Sequence, residues 1–255
     1  MSRLTANGLD IRVGERLLCR GLELDLTPGQ CWAILGGNGS GKTTLLHTLA
    51  GLLPVVRGKI ELDHTPLTTL ARRTVAQRLG LLLQESHDPF PVTVLENVLS
   101  GRHPHLGRWQ AEGEADLTIA RDALATMDLA GMEQRLVQTL SGGERRRLAI
   151  ATLLTQAPQL LLLDEPLNHL DLHHQQQLLH LLRGLAAKGR TVVMVLHDPN
   201  QALRYCDRAL LLFGDGTWES GGCEELLTVE RLGSLYRHPI RLVREGTERL
   251  FIPGE

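Results

Sequence analysis

The segment "QCWAILGGNGSGKTTLLHTLAGL" (residues 30–52) restricts the fold more than any other stretch. Its first six residues, apolar after Gln30, read as a buried strand. The spacing after Lys42 is helical and stops near Gly51. Between them, Gly36, Gly37, Asn38, Gly39, Ser40, Gly41, Lys42 and Thr43 fill the pattern G-x-x-x-x-G-K-[S/T], with Thr44 following. That pattern suits one chemistry. Glycines let backbone N–H groups approach phosphate oxygens, Lys42 offers a cation, and Thr43 presents a hydroxyl to Mg²⁺. A chance glycine turn needs neither the lysine nor the flanking strand and helix.

Further strands and helices alternate downstream. "LLLLDEP" (160–166) is an apolar run of the kind found in strands buried on both faces. A helix over residues 172–187 follows, then the strands "TVVMVLHD" (191–198) and "RALLLF" (208–213). This order predicts an α/β fold with a mostly parallel, doubly wound sheet and a site at the carboxyl ends of its strands. Before it, Leu9, Ile11 and Val13, then Leu22, Leu24 and Leu26, alternate around the turn signals Asn7-Gly8 and Pro28-Gly29. They predict an N-terminal antiparallel β subdomain.

Residues 86–158 differ in texture. Pro89, Pro91 and Pro104 punctuate the entry, "TVLE" (93–96) fits a capping box, and residues 115–129 fit an amphipathic helix. The chain therefore reads as a single domain, residues 1–255. Its α/β core spans 1–85 and 159–235, interrupted by a helical lobe at 86–158. A tail follows at 236–255, with a hairpin over 240–253 that turns at Glu245-Gly246.

Several residues stand where the predicted strands end. Asp164 and Glu165 close the four-leucine run, and adjacent carboxylates there are costly unless they meet a metal or water. Asp164 is placed to bind Mg²⁺, directly or through water, and Glu165 to polarise an attacking water. The same pair would also suit a helix N-terminus without any ligand. His197 and Gln84 each follow an apolar strand; taken alone, a histidine there is usually only a polar cap. Eleven histidines show no zinc-ligand spacing.

The formal net charge of −2 opposes a generally basic, nucleic-acid-binding surface. Four cysteines without a C-x-x-C pair read as reduced thiols. The N-terminus lacks the apolar run of a secretory signal, and no window reaches the roughly 20 apolar residues of a membrane helix.

A second candidate phosphate site is "LSGGERRR" (140–147). Ser141 and Glu144 alone form an S-x-x-E capping box, which requires no ligand. Glycines in a first helical turn, however, cost about 1 kcal/mol each relative to alanine. Arginines beside a positive helix end also oppose the dipole. A bound phosphate accounts for both.

Together, "GGNGSGKTT", Gln84, "LSGGE", "LLLLDEP", "NHLD" and "LHD" resemble, in order, the motifs of ATP-binding cassette (ABC) ATPases over about residues 5–235. The resemblance implies a P-loop NTPase (RecA-like) core and a homodimer holding two ATP molecules at its interface. Each ATP would lie between residues 36–44 of one copy and Ser141, Gly142, Gly143 and Glu144 of the other, with Asp171 nearby. By position, Gln84 would touch Mg²⁺ and water, Glu165 would act as general base, and His197 would hold the γ-phosphate.

The segment "ENVLSGRHPHLGRW" (96–109) is similar to importer ATPases serving iron-siderophore, haem and cobalamin uptake. That implies a multi-spanning permease partner, an external substrate-binding protein, no nucleic acid, and a peripheral place on the cytoplasmic face of the inner membrane. An exporter ATPase and a soluble ABC clamp are the alternative readings. Two positions depart from the pattern. Val13 stands where the family places an adenine-stacking aromatic, in a chain with three Trp, two Tyr and three Phe. Arg146 replaces a common glutamine.

Overall fold

A computed structural model of the protein describes residues 2–84, 91–246 and 248–255. The first elements are β1 (Leu4–Val13), β2 (Arg16–Leu26), β3 (Cys31–Gly36), α1 (Lys42–Leu49), β4 (Arg57–Leu62), β5 (Thr65–Pro66), α2 (Arg72–Arg78) and β6 (Leu79–Leu82). Next come α3 (Val94–Leu99), α4 (Glu114–Thr126) and α5 (Gly142–Gln156). The chain then returns to β7 (Leu160–Leu163), α6 (Leu172–Ala187), β8 (Thr191–Val195), α7 (Pro199–Tyr205), β9 (Arg208–Leu212) and β10 (Trp218–Gly222). It ends with α8 (Cys223–Leu226), α9 (Val229–Tyr236), β11 (Ile240–Glu245) and β12 (Glu248–Pro253).

The central sheet has the order β10-β9-β3-β8-β7-β6. Its strands pair in parallel except β10, which returns antiparallel along β9. The apolar runs follow from burial on both faces. Cys31, Ala33, Leu35, Leu161, Leu163, Val192 and Met194 enter one core, while Trp32, Ile34, Leu160, Leu162, Val193 and Val195 enter the other. Successive strand residues point to opposite faces, so both sets must be apolar. The second core is closed by α1 and by the antiparallel sheet β2-β1-β4-β5, the expected N-terminal subdomain.

The first core extends without a break into α3, α4 and α5 through Val94, Val98, Leu124, Leu148 and Leu153. Among the described residues this core is continuous: α5 packs on the edge strand β6 and carries α3 and α4, while α6 and α7 lie against β3 and β8. The helical lobe's expected start at Ser86, and Pro89 with it, lie outside the described residues. The capping box at α3 is present: the Thr93 hydroxyl accepts from the Glu96 N–H (3.2 Å) and the Glu96 carboxylate accepts from the Thr93 N–H (2.7 Å). α4 stops before residue 129, because Asp128 turns left-handed (φ 53°).

The tail hairpin is fastened to α7, where Asn200 and Phe251 exchange hydrogen bonds of 3.0 and 2.7 Å. Glu245 pairs with Glu248 as a strand residue, so the reversal begins at Gly246, one position later than the sequence suggests. Among the described residues no helix is long and apolar enough to cross a membrane.

Candidate active site

β3 delivers the glycine loop to the edge of a cleft, and α1 leaves from it. Gly41, at the N-cap of α1, has φ 103°, a conformation that favours glycine, and no side chain caps this helix end. Its N–H groups and the positive end of the helix dipole are left to an anion. A Cβ on Gly36 would run into the Ser40 hydroxyl and the Leu212 carbonyl, so the first glycine is required by packing. Lys42 is 6% exposed, and its ammonium donates to the carbonyls of Gly36 (2.9 Å) and Gly37 (3.0 Å). Burial lowers its pKa, opposed by the charges of Glu165 and Asp164.

The cleft has a volume of about 720 Å³. Val13, Asn38, Gly39, Gly41, Lys42, Thr43, Thr44, Gln84, Glu165 and His197 line it, as do Arg16 and Leu18, which the sequence did not single out. Residues from three separate strand ends and the glycine loop thus share one space. Ser40 lies beneath, 3% exposed, its hydroxyl without a partner.

Asp164 follows β7 and is fully buried, and among the described residues neither carboxyl oxygen has a hydrogen-bond partner. Burial raises its pKa and the Glu165 charge adds to the rise. The Thr43 hydroxyl, near enough to favour the charged form without completing a hydrogen bond in the geometry seen here, works against them. An orphaned buried carboxylate is expensive unless a cation or water meets it. Thr43 and Gln84 line the cleft and Asp164 lies buried behind its wall, between Leu163 and the cleft residue Glu165; the three offer hydroxyl, amide and carboxylate oxygens, a donor set that fits Mg²⁺.

Glu165 is held from three sides. One carboxylate oxygen accepts from Gln84 Nε2 (3.1 Å) and Asn168 Nδ2 (2.6 Å), and the other pairs with His197 Nε2 at 2.9 Å. The His197 carbonyl in turn accepts from the Tyr236 hydroxyl at 3.2 Å. Asn168 is a site residue that motif reading overlooked. Its only signal is a position three residues after Glu165, within "NHLD".

The second phosphate candidate opens α5. Ser141 caps it: its hydroxyl accepts from the Glu144 N–H (3.2 Å), and the Glu144 carboxylate accepts from the Ser141 N–H (2.7 Å). The Ser141 hydroxyl proton stays available to donate. A Cβ on Gly143 would stand 3.0 Å from the His169 carbonyl, so close packing is a second reason for a glycine there. Asp171 caps α6 through the His174 N–H (2.9 Å). Ser141, Gly142, Gly143, Glu144 and Asp171 do not line the cleft around Lys42.

The three arginines part company. Arg145 is exposed, Arg147 donates to the carbonyls of Met127 and Asp128 at the end of α4, and Arg146 is buried.

Residues 19–168 match the ABC transporter family. The chain is 38% identical over 240 residues to the ferric enterobactin transport ATP-binding protein FepC of Escherichia coli K12, spanning 92% of this chain and 88% of that protein. It is 39% identical over 236 residues to the hemin import ATP-binding protein HmuV of Hahella chejuensis, spanning 90% of each. A solved metal-chelate type ABC transporter in an inward-facing conformation superposes with a TM-score of 0.86 at 31% identity, covering 100% of this chain and 98% of that one.

Proposed function

The chain belongs to the ABC transporter family, and from that footing we propose that it is the energy-coupling ATPase subunit of an importer for iron-siderophore, haem or cobalamin-type cargo. The protein binds and hydrolyses ATP. The observation that carries the mechanistic reading is the single carboxylate of Glu165, buried to 13% exposure and oriented by Gln84, Asn168 and His197 on the cleft that holds Lys42.

The glycine loop and Lys42 bind the phosphates. His197 holds the γ-phosphate, and Glu165 takes a proton from water as its oxygen attacks phosphorus in line and ADP departs. Thr43, Gln84 and Asp164 would hold Mg²⁺, which supplies charge neutralisation on the phosphate oxygens. Ser141 through Glu144 and Asp171 act on the ATP of a second copy, which makes the working form a head-to-tail homodimer. Its place is peripheral, on the cytoplasmic face of the plasma membrane, against a multi-spanning permease fed by an external binding protein. The names of the relatives, a transport and an import ATP-binding protein, support the reading as a transporter subunit.

Reconstitution with the permease tests it. Turnover rises with binding protein loaded with ferric siderophore, haem or cobalamin and not with empty binding protein. Stimulation by none of these, with a response to substrate offered from the ATPase side, contradicts import.

Val13 carries a separate prediction. It ends β1, is 55% exposed, and lines the cleft without a ring to offer a base. ATP and GTP therefore bind with similar affinity, and Val13→Tyr tightens ATP by about tenfold, since base–aromatic stacking contributes about 1–3 kcal/mol. Equal ATP affinity in both proteins, measured by calorimetry, contradicts this.

A further inference from the structure

Arg146 is 6% exposed, and every N–H of its guanidinium is used on a backbone carbonyl. Nη1 donates to Leu83 (2.6 Å) and Gln84 (3.3 Å), Nη2 to Asp164 (2.6 Å) and Glu165 (2.7 Å), and Nε to Pro166 (3.3 Å). All five are carbonyls, and among the described residues no carboxylate pairs with this guanidinium. It grips the backbone at two strand ends, after β6 and after β7, where Gln84 and Glu165 begin. The grip falls on a demanding conformation. Glu165 has φ 47°, a left-handed backbone that a non-glycine residue keeps only where its surroundings hold it. Three consecutive carbonyls, from Asp164 to Pro166, are held by one rigid plane through that turn.

We infer that Arg146 is a positioning residue for hydrolysis: it sets where the Gln84 amide and the Glu165 carboxylate stand, from a helix capped by Ser141. This rests on the reading of Glu165 as the general base. The three donors of a lysine cannot reproduce a planar five-donor fork, so charge alone does not replace the residue. Misplacement of a catalytic group lowers the rate of the chemical step while the glycine loop still binds nucleotide.

The test compares Arg146→Lys and Arg146→Met with Glu165→Gln and wild type, measuring Mg·ATP affinity, KM, kcat and thermal midpoint on the whole chain. Arg146→Lys loses about tenfold and Arg146→Met about a hundredfold in kcat, the scale of a 1 Å misplacement, with KM and ATP affinity within about threefold of wild type. The lysine variant keeps the buried charge, so the test stands even where the methionine variant folds poorly. Folded variants with wild-type kcat overturn the inference. So does a loss of kcat, ATP affinity and thermal midpoint in parallel, which marks a mere brace. If Arg146→Lys turns over normally while Glu165→Gln is inactive, only the role of Arg146 fails. If Glu165→Gln keeps wild-type turnover, the general-base reading fails and takes the inference with it.

Discussion

Glu165→Gln retains ATP and hydrolyses it about a thousandfold more slowly than wild type, within the range a general base contributes. The substitution is nearly isosteric and removes the one property the site is arranged around. Gln84, Asn168 and His197 all direct polar hydrogens or a ring nitrogen at the Glu165 carboxylate, so its lone pairs are aimed and its position is fixed. An amide in its place accepts a proton poorly but leaves the glycine loop and Lys42 untouched. Binding survives and chemistry stops. In the proposed homodimer hydrolysis separates the two copies, so the variant also accumulates as a dimer on size-exclusion chromatography with Mg·ATP. Wild-type turnover, or a monomer under those conditions, speaks against Glu165 as the base.

Ser141→Arg gives the second large effect. In one copy Ser141 does not line the cleft that contains Lys42, yet it stands at a helix start with a hydroxyl proton free to donate. Losing one such donor to a reacting phosphate costs about 10²- to 10³-fold in rate. The arginine also removes the cap of α5 and, in the proposed dimer, places bulk against the γ-phosphate held by the second copy. ATP affinity of the separated subunit stays within about threefold, because the residues that bind it lie elsewhere in the fold. A full loss of nucleotide binding points instead to damage of the fold, and full activity removes Ser141 from the site.

Much of this was legible in the residues. A strand buried on both faces has to be continuously apolar, so "QCWAIL", "LLLL" and "TVVMV" announced the parallel sheet and the ends where polar groups cluster. Thr93 with Glu96 and Ser141 with Glu144 announced two helix starts, since capping is local. Arg146 was illegible for the opposite reason. Its partners are carbonyls 18 to 63 residues away, and a carbonyl leaves no mark on sequence. The Gly143 contact with the His169 carbonyl is hidden in the same way. So is the sheet order β2-β1-β4-β5, which brings β4, from beyond the glycine loop, back beside β1.

In the proposed homodimer each ATP is worked on by two copies, and complementation of two inactive variants separates that arrangement from a site within one copy. Lys42→Ala and Ser141→Arg subunits are each inactive alone. Mixed in equal amounts with Mg·ATP, half the dimers are mixed, and each of these holds one intact loop facing one intact Ser141. Turnover then rises to about a quarter of the wild-type rate if the two sites act independently. A mixture as inactive as its components contradicts the shared site.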